Sequence, residues 1–355
     1  MSSQPTTVRP VVQVEVGQPQ PVRTPDVETP QVEPSGSLDL RSRGRGGDAL
    51  FAGLSRGAGI VIILMVAFVG AFLVWRAVPA LRADQASFLF SREWSPSTTP
   101  PRFGVLGLLY TTVLLSAFAM VLAVPVAIGV ALFVTQYAPV RLARPVASLV
   151  DLLAAVPSIV YGLWGAAALA PRIKPVGDWV TGHLGTWPVT SWFPLWKPGI
   201  ADAGTIFAAG VVLAIMILPI TTAICREVFA QTPVAHREGA LALGATRWEM
   251  IRLAVLPYGR SGAVSGAMLG LGRALGETIA VLIVLSVPFQ GSVFNASLFN
   301  GGETFASKIA ANAAEFNSPT QTGAFIAAGL VLFVVTFAVN AIARLVVERG
   351  RRRLE

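Results

Sequence analysis

The chain has 355 residues, 54% hydrophobic and only 13% charged, and its mean hydropathy of +0.65 excludes a water-soluble globule with an ordinary surface. A formal net charge of +8 would suit nucleic acid, yet the basic residues lie in tails and loops flanking apolar runs, which points to membrane topology and to no nucleic-acid partner. The single cysteine, Cys225, rules out an intrachain disulfide and reads as a small apolar residue at a span end.

Residues 1–50 read as a disordered tail. Pro, Val, Gln, Glu and Thr dominate it without a helical period, and it closes on the basic run Arg41-Ser42-Arg43-Gly44-Arg45. It lacks the apolar core and small-residue cleavage site of a signal peptide, so it is expected to be retained. Residues 51–355 are expected to form a transmembrane domain. A bilayer core needs about 20 mostly apolar residues per helix, and six stretches meet this: 57–75, 104–136, 146–170, 204–224, 261–287 and 323–347. The second lies in an uncharged run from Phe103 to Val140; no polar turn accompanies Pro125, so one long helix ending near Pro139 is expected. The fold class is therefore all-α, a multi-pass membrane protein with six spans.

Basic residues concentrate in the tail, in 137–144, in 225–260 and at the C-terminal end. The positive-inside rule then places both termini and the 225–260 loop in the cytoplasm, with membrane lipid around the spans. The outer loop 171–203 holds Trp179, Trp187, Trp192 and Trp196, suited to interfacial anchoring or to docking an external partner. No solenoid repeat and no inverted repeat of discontinuous helices is visible.

The inner loop 231–260 carries the most informative segment, His236-Arg237-Glu238-Gly239-Ala240-Leu241-Ala242-Leu243-Gly244-Ala245-Thr246-Arg247-Trp248-Glu249, closing on Leu256-Pro257. Pro233 suits the entry of a new helix. Glu238 is placed in its first turn, where a negative charge favours the helix dipole. Gly244 permits a sharp backbone change between two short helices, and Thr246 is a candidate cap. The segment resembles the "EAA" loop of binding-protein-dependent ABC importers: Glu238, Ala240, Gly244, Leu256 and Pro257 fall on its spacing, while Gly239 stands in place of the first alanine and Ala254 in place of the isoleucine. The resemblance implies that Glu238 to Arg247, including Ala245 and Thr246, forms a coupling helix seated in a cytoplasmic ATPase subunit. No Gly-x-x-x-x-Gly-Lys-Ser/Thr occurs in the chain, so the nucleotide is expected to bind elsewhere.

The fifth span contains Arg273 and Glu277. A charge well inside a span costs about 2.5–3.5 kcal/mol on insertion scales, so such residues face a partner or a wet pathway. Four residues apart on one helix, they share a face. Two readings stand: a structural pair that neutralises itself, or a guanidinium that offers its planar donor fork to a passing oxyanion while Glu277 holds it when the path is empty. The steps Gly262, Gly266, Gly270 and Gly272, Gly276 let a helix approach closely, against a second permease subunit or within the chain. Asp151 suits a cap or an arginine partner.

The fifth-span Gly272-Arg273-Ala274-Leu275-Gly276-Glu277-Thr278-Ile279-Ala280-Val281 and the third-span Ala154-Ala155-Val156-Pro157-Ser158-Ile159-Val160-Tyr161-Gly162-Leu163-Trp164-Gly165, with Glu93-Trp94-Ser95-Pro96, resemble the phosphate ABC importer permeases of PstC type over roughly residues 55–350. The resemblance implies the ABC importer permease fold and a bacterial plasma membrane location. It implies a second permease of PstA type, two ATP-binding subunits and an external phosphate-binding protein as partners. Arg273 and Glu277 match family positions important for transport. No cofactor or metal is expected in the chain itself; ATP and Mg belong to the partner ATPase. The expected function is inward translocation of inorganic phosphate by alternating access, with another oxyanion such as sulfate or molybdate as the alternative and an ion-coupled transporter less favoured. An enzyme is disfavoured: His183 and His236 fall on opposite sides of the membrane, and no triad or metal set forms around either.

Overall fold

The computed structural model describes residues 45–185, 194–197, 199, 203–287 and 296–351; most of the expected tail, together with Trp187 and Trp192, lies outside them. The chain divides into a unit Met1–Ile62 and a unit Ile63–Glu355. Among described residues the first contributes only the opening of helix α1 (Arg45–Ala83). That helix starts before residue 50, so 45–50 are helical and not tail: Asp48 sits in the first turn, where its charge favours the dipole, and Ala and Leu follow.

In the second unit, a two-residue hairpin of β1 (Trp94–Ser95) and β2 (Arg102–Phe103) packs Trp94 edge-on to Phe103 and against Phe325. Helix α2 (Leu106–Leu132) runs through Pro125 and continues as a π-turn to Tyr137, one unbroken rod of 32 residues. Pro139, which offers no N–H, separates it from α3 (Val140–Ala154).

The third expected span is not a single helix. After Ala154 the chain breaks at Ala155-Val156-Pro157 and turns by 91° into α4 (Ser158–Trp164), a π-turn and α5 (Ala170–Leu184). Pro157 is extended (ψ 140°); it lacks a donor and disfavours a helical residue before it. The carbonyl of Leu153, which accepts from the Val156 amide at 3.3 Å, takes a second and shorter bond from the Tyr161 hydroxyl, which donates to it at 2.9 Å. Residues 171–184, expected as loop, are helical: α5 continues directly from the π-turn, with Pro171 as its second residue.

Helix α6 (Ile206–Ala230) is the centre of the unit, capped by Thr205, whose side chain accepts from the Ala208 amide at 3.1 Å. It packs on α2 and on α9 (Leu256–Gly276). Leu115, Ala119, Val212, Leu213, Met216 and Ile217 are buried together in the core around it. Lipid is as apolar as leucine, so close approach and dispersion, not water expulsion, hold such helices together. The stripe Gly259, Gly262, Gly266 and Gly270 of α9 supplies that approach, lying against Phe229, Val228, Ile224 and Thr221 of α6. This stripe is therefore spent within the chain, whereas Gly272 and Gly276 face open space.

Between α6 and α9 come α7 (Val234–Ala242), α8 (Arg247–Met250) and a π-turn Ile251–Val255. After α9 come α10 (Ile279–Val284), α11 (Phe305–Ala311) and α12 (Pro319–Arg351). Among the described residues four helices are long and apolar enough to cross a membrane, α1, α2, α6 and α12, and the bent pair from Val140 to Leu184 is a fifth if it is taken as one span. The fifth expected span, 261–287, misses this test: α9 carries six glycines, Arg260 and Arg273, and the helix stops at Gly276.

Candidate functional site

Two regions hold the sequence-predicted residues. In the first, Pro233 caps α7, and Glu238 is its fifth residue. Glu238 therefore sits in the second turn and not the first, beyond the strongest reach of the N-terminal dipole. Helix α7 ends at Ala242; Gly244 is left-handed (φ 86°), and its amide and that of Ala245 donate to the Leu241 and Ala240 carbonyls, a glycine C-cap. Arg247 opens the next helix instead of extending α7.

Thr246 caps that helix by a reciprocal box: its side chain accepts from the Glu249 amide, and its own amide donates to the Glu249 carboxylate at 2.8 Å. This hydrogen bond holds the Glu249 carboxyl below the usual carboxylate range. The Thr-x-x-Glu spacing was legible in the sequence. Glu238, Gly239, Gly244, Thr246 and Arg247 are exposed, Ala240 and Ala245 half-buried. Leu243 is 91% and Trp248 56% exposed. By contrast Met250, Ile251 and Val255 are buried with Phe229 and Cys225, so an exposed tip stands on a packed base. Leu256 and Pro257 start α9, proline in the first turn.

The second region surrounds the end of α9. Glu277 is extended (φ −67°, ψ 126°) beyond the last helical residue, so it does not share a helical face with Arg273. No ion pair joins the two. Glu277 is 9% exposed, and its Oε1 accepts from the Ala280 amide at 3.2 Å, capping α10. Both expected fifth-span charges are thus separated by a helix break that Gly276 permits and a capping carboxylate completes. The break lies beside the one in the third span: α10 packs on α4, and a Cβ on Gly162 would stand 2.8 Å from the Ala280 Cα. Two interrupted helices thus cross at the site, contrary to the continuous spans expected.

Arg273 lines a cavity of about 690 Å³ together with Ser265, Met268, Leu269 and Gly272 of α9, one helical face by their spacing of three and four. Asn340 and Arg344 of α12 close its other side. Arg273 is also within electrostatic reach of Tyr161. Neither Arg273 nor Arg344 forms an ion pair among the described residues. Arg344 was not singled out by the sequence, since only the crossing of α12 over α9 brings it here. Asp151 instead pairs with Arg226 at 3.2 Å, tying α3 to α6. The described residues contain no His, Cys, Asp and Glu cluster of metal-binding geometry.

A family model of "binding-protein-dependent transport system inner membrane component" matches residues 123–352. A protein of Mycobacterium tuberculosis named "Phosphate transport system permease protein PstC 2" is 52% identical over 312 residues, 87% of this chain and 94% of that one. The chain belongs to the PstC family of binding-protein-dependent permeases. Its PstC relatives in Mycobacterium leprae (54% identity, 77% of this chain and 84% of that one) and Xylella fastidiosa (40%, 82% and 89%) extend the match. A chain of a bacterial ABC transporter "involved in the import of the acidic polysaccharide alginate" superposes with a TM-score of 0.51 at 15% identity, over 85% of the PstC-family chain and 99% of its own, a likeness of fold. The PstC-family permease is a multi-pass membrane protein and a transport component, not an enzyme.

Proposed function

We propose that this chain is the translocating subunit of an ATP-driven importer of inorganic phosphate. The observation that carries the reading is the high identity, over almost the whole length, to proteins named as phosphate transport permeases, in a chain whose arginine lines an open cavity. Both termini and the loop 231–260 face the cytoplasm in this reading, as the placement of basic residues favours. The exposed tip made of Glu238, Gly239, Ala240, Gly244, Ala245, Thr246 and Arg247 seats in a cytoplasmic ATPase subunit that carries ATP and Mg. An external phosphate-binding protein delivers the anion, a second permease of PstA type lines the other half of the path, and two ATPase copies drive it.

Within the path Arg273 receives the oxyanion. Glu277 acts through the helix break it caps, since its carboxylate is bound to the Ala280 amide and not to Arg273. Uptake of radiolabelled phosphate in cells lacking this permease tests the reading. Wild-type chain is expected to restore sulfate-resistant uptake, and Glu238→Lys to abolish it while the protein stays in the membrane. Uptake that survives Glu238→Lys refutes the coupling role; absent phosphate uptake with the wild type refutes the substrate.

A further inference from the structure

We infer that the cavity between α9 and α12 is an oxyanion station with two cationic ligands, and that Arg344 is its second phosphate-binding residue. The inference rests on the transport reading above and assigns it a further residue. The lining of this cavity holds two guanidinium groups, Arg273 and Arg344, and no carboxylate. Glu277, four residues beyond Arg273, spends Oε1 on the Ala280 amide.

Two like charges on one cavity whose remaining wall is largely Met268, Leu269 and Gly272 repel each other, and the low-dielectric wall strengthens that repulsion. An anion between them removes the repulsion and satisfies both donor forks; a dianionic phosphate has the oxygens for two bidentate guanidinium contacts. Polar groups with spare capacity are placed beside them. Asn340 lies one helical turn from Arg344 on the same face of α12 and lines the same cavity. Ser265 donates its proton to the Ser261 carbonyl at 2.9 Å, which leaves its oxygen as an acceptor for a protonated phosphate oxygen.

Direction follows from the helices. Ser265 precedes Arg273 by eight residues, about 12 Å along α9 at 1.5 Å per residue. The cavity is therefore elongated toward the Leu256 end, the end that continues from the exposed tip. With the C-terminus in the cytoplasm, as proposed above, Arg344, one helical turn beyond Asn340 toward the C-terminus, falls on that side. The station therefore lies toward the inner end of the path, with Arg273 and Arg344 holding one anion between them.

The same chemistry suits the phosphate of an anionic lipid headgroup, toward which an arginine near a helix end also reaches. The test separates the sources. Met268→Cys places a reporter thiol in the cavity wall; the native Cys225 is fully buried and serves as the blank. The complete transporter with this substitution is reconstituted in phosphatidylcholine vesicles, and labelling by a neutral maleimide is followed with and without millimolar inorganic phosphate.

Phosphate is expected to slow labelling several-fold, Arg344→Gln to abolish the protection, and Arg344→Lys to keep part of it. Uptake by Arg344→Gln in the otherwise native chain is expected to fall roughly tenfold or more, the loss of a charge-assisted contact, at unchanged membrane level. Protection that persists in Arg344→Gln overturns the inference, as does its absence in a reporter chain that still imports phosphate. Protection that appears on adding phosphatidylglycerol without inorganic phosphate also overturns it, by assigning the cavity to lipid. A wild-type chain that imports no phosphate fails the transport reading instead, which separates the two.

Discussion

Replacing Gly262 by alanine tests how α6 and α9 are held together. A Cβ at that position would stand 2.5 Å from Val228 Cγ1 and 2.9 Å from Val228 Cβ, and closer still to Cγ2. Carbon atoms rest at about 3.5–4.0 Å, so the helices or the valine must yield by roughly 1 Å. Overpacking of this kind costs about 1–3 kcal/mol, offset by the gain of about 1 kcal/mol when alanine replaces glycine in a helix. The net expectation is a loss of roughly 0–2 kcal/mol where an open helical position would gain about 1 kcal/mol, so Tm is expected to fall several degrees below that of an alanine at an open position, at about 2–4 °C per kcal/mol for domains of comparable size. Thermal unfolding of the purified chain in detergent, followed by tryptophan fluorescence, measures it. Val228→Ala removes both γ-methyls, so the double variant is expected to recover most of the loss, a coupling that a cycle isolates. Gly272→Ala is the control, because no atom lies within 4 Å of its would-be Cβ. A Tm for Gly262→Ala no lower than that for Gly272→Ala refutes the close-approach argument.

Tyr161→Phe leaves the Leu153 carbonyl without the hydroxyl donor and is expected to cost about 1 kcal/mol of stability in the same assay. Glu277→Gln keeps an acceptor for the Ala280 amide and removes only the charge; it is expected to retain the wild-type Tm and most of the phosphate uptake, whereas Glu277→Ala lowers both. The carboxyl of Glu249 is held below its ordinary value of 4.5 by the Thr246 amide. Its contribution to the cap is therefore complete above that ordinary value and is lost as pH falls through the lower folded value. Hydrogen exchange of residues 246–250, corrected for intrinsic rates, is expected to be flat from neutral pH to about pH 5 and to rise only below the ordinary carboxylate range; Glu249→Gln is expected to remove that rise.

The loop 231–260 was legible because its signals are local: a proline, a left-handed glycine and a threonine cap act within a few residues. The breaks at Pro157 and Glu277 were not, because a window of about 20 apolar residues sums hydropathy and ignores backbone continuity. Pro157 carried a warning, since a proline removes a donor and restricts its predecessor. Gly276-Glu277 carried a second, a glycine followed by a residue able to cap the next helix. What stayed hidden was tertiary. The glycine stripe of α9 has the same spacing whether it meets a partner or α6, and Arg344 joins Arg273 only through the path of α12.

From Arg247 to Gly276 the helices α8 and α9 and the π-turn between them follow one another without a gap. Moving as one body, that run is a lever of up to roughly 45 Å at 1.5 Å per residue, with the Thr246 cap at one end and the Arg273 cavity at the other. A tilt of about 5° about one end displaces the other by roughly 4 Å, more than the 2.7–3.2 Å span of an N–H···O bond. A modest movement of the exposed tip is thereby magnified into making or breaking every polar contact at the far end, with no conformational change needed along the shaft.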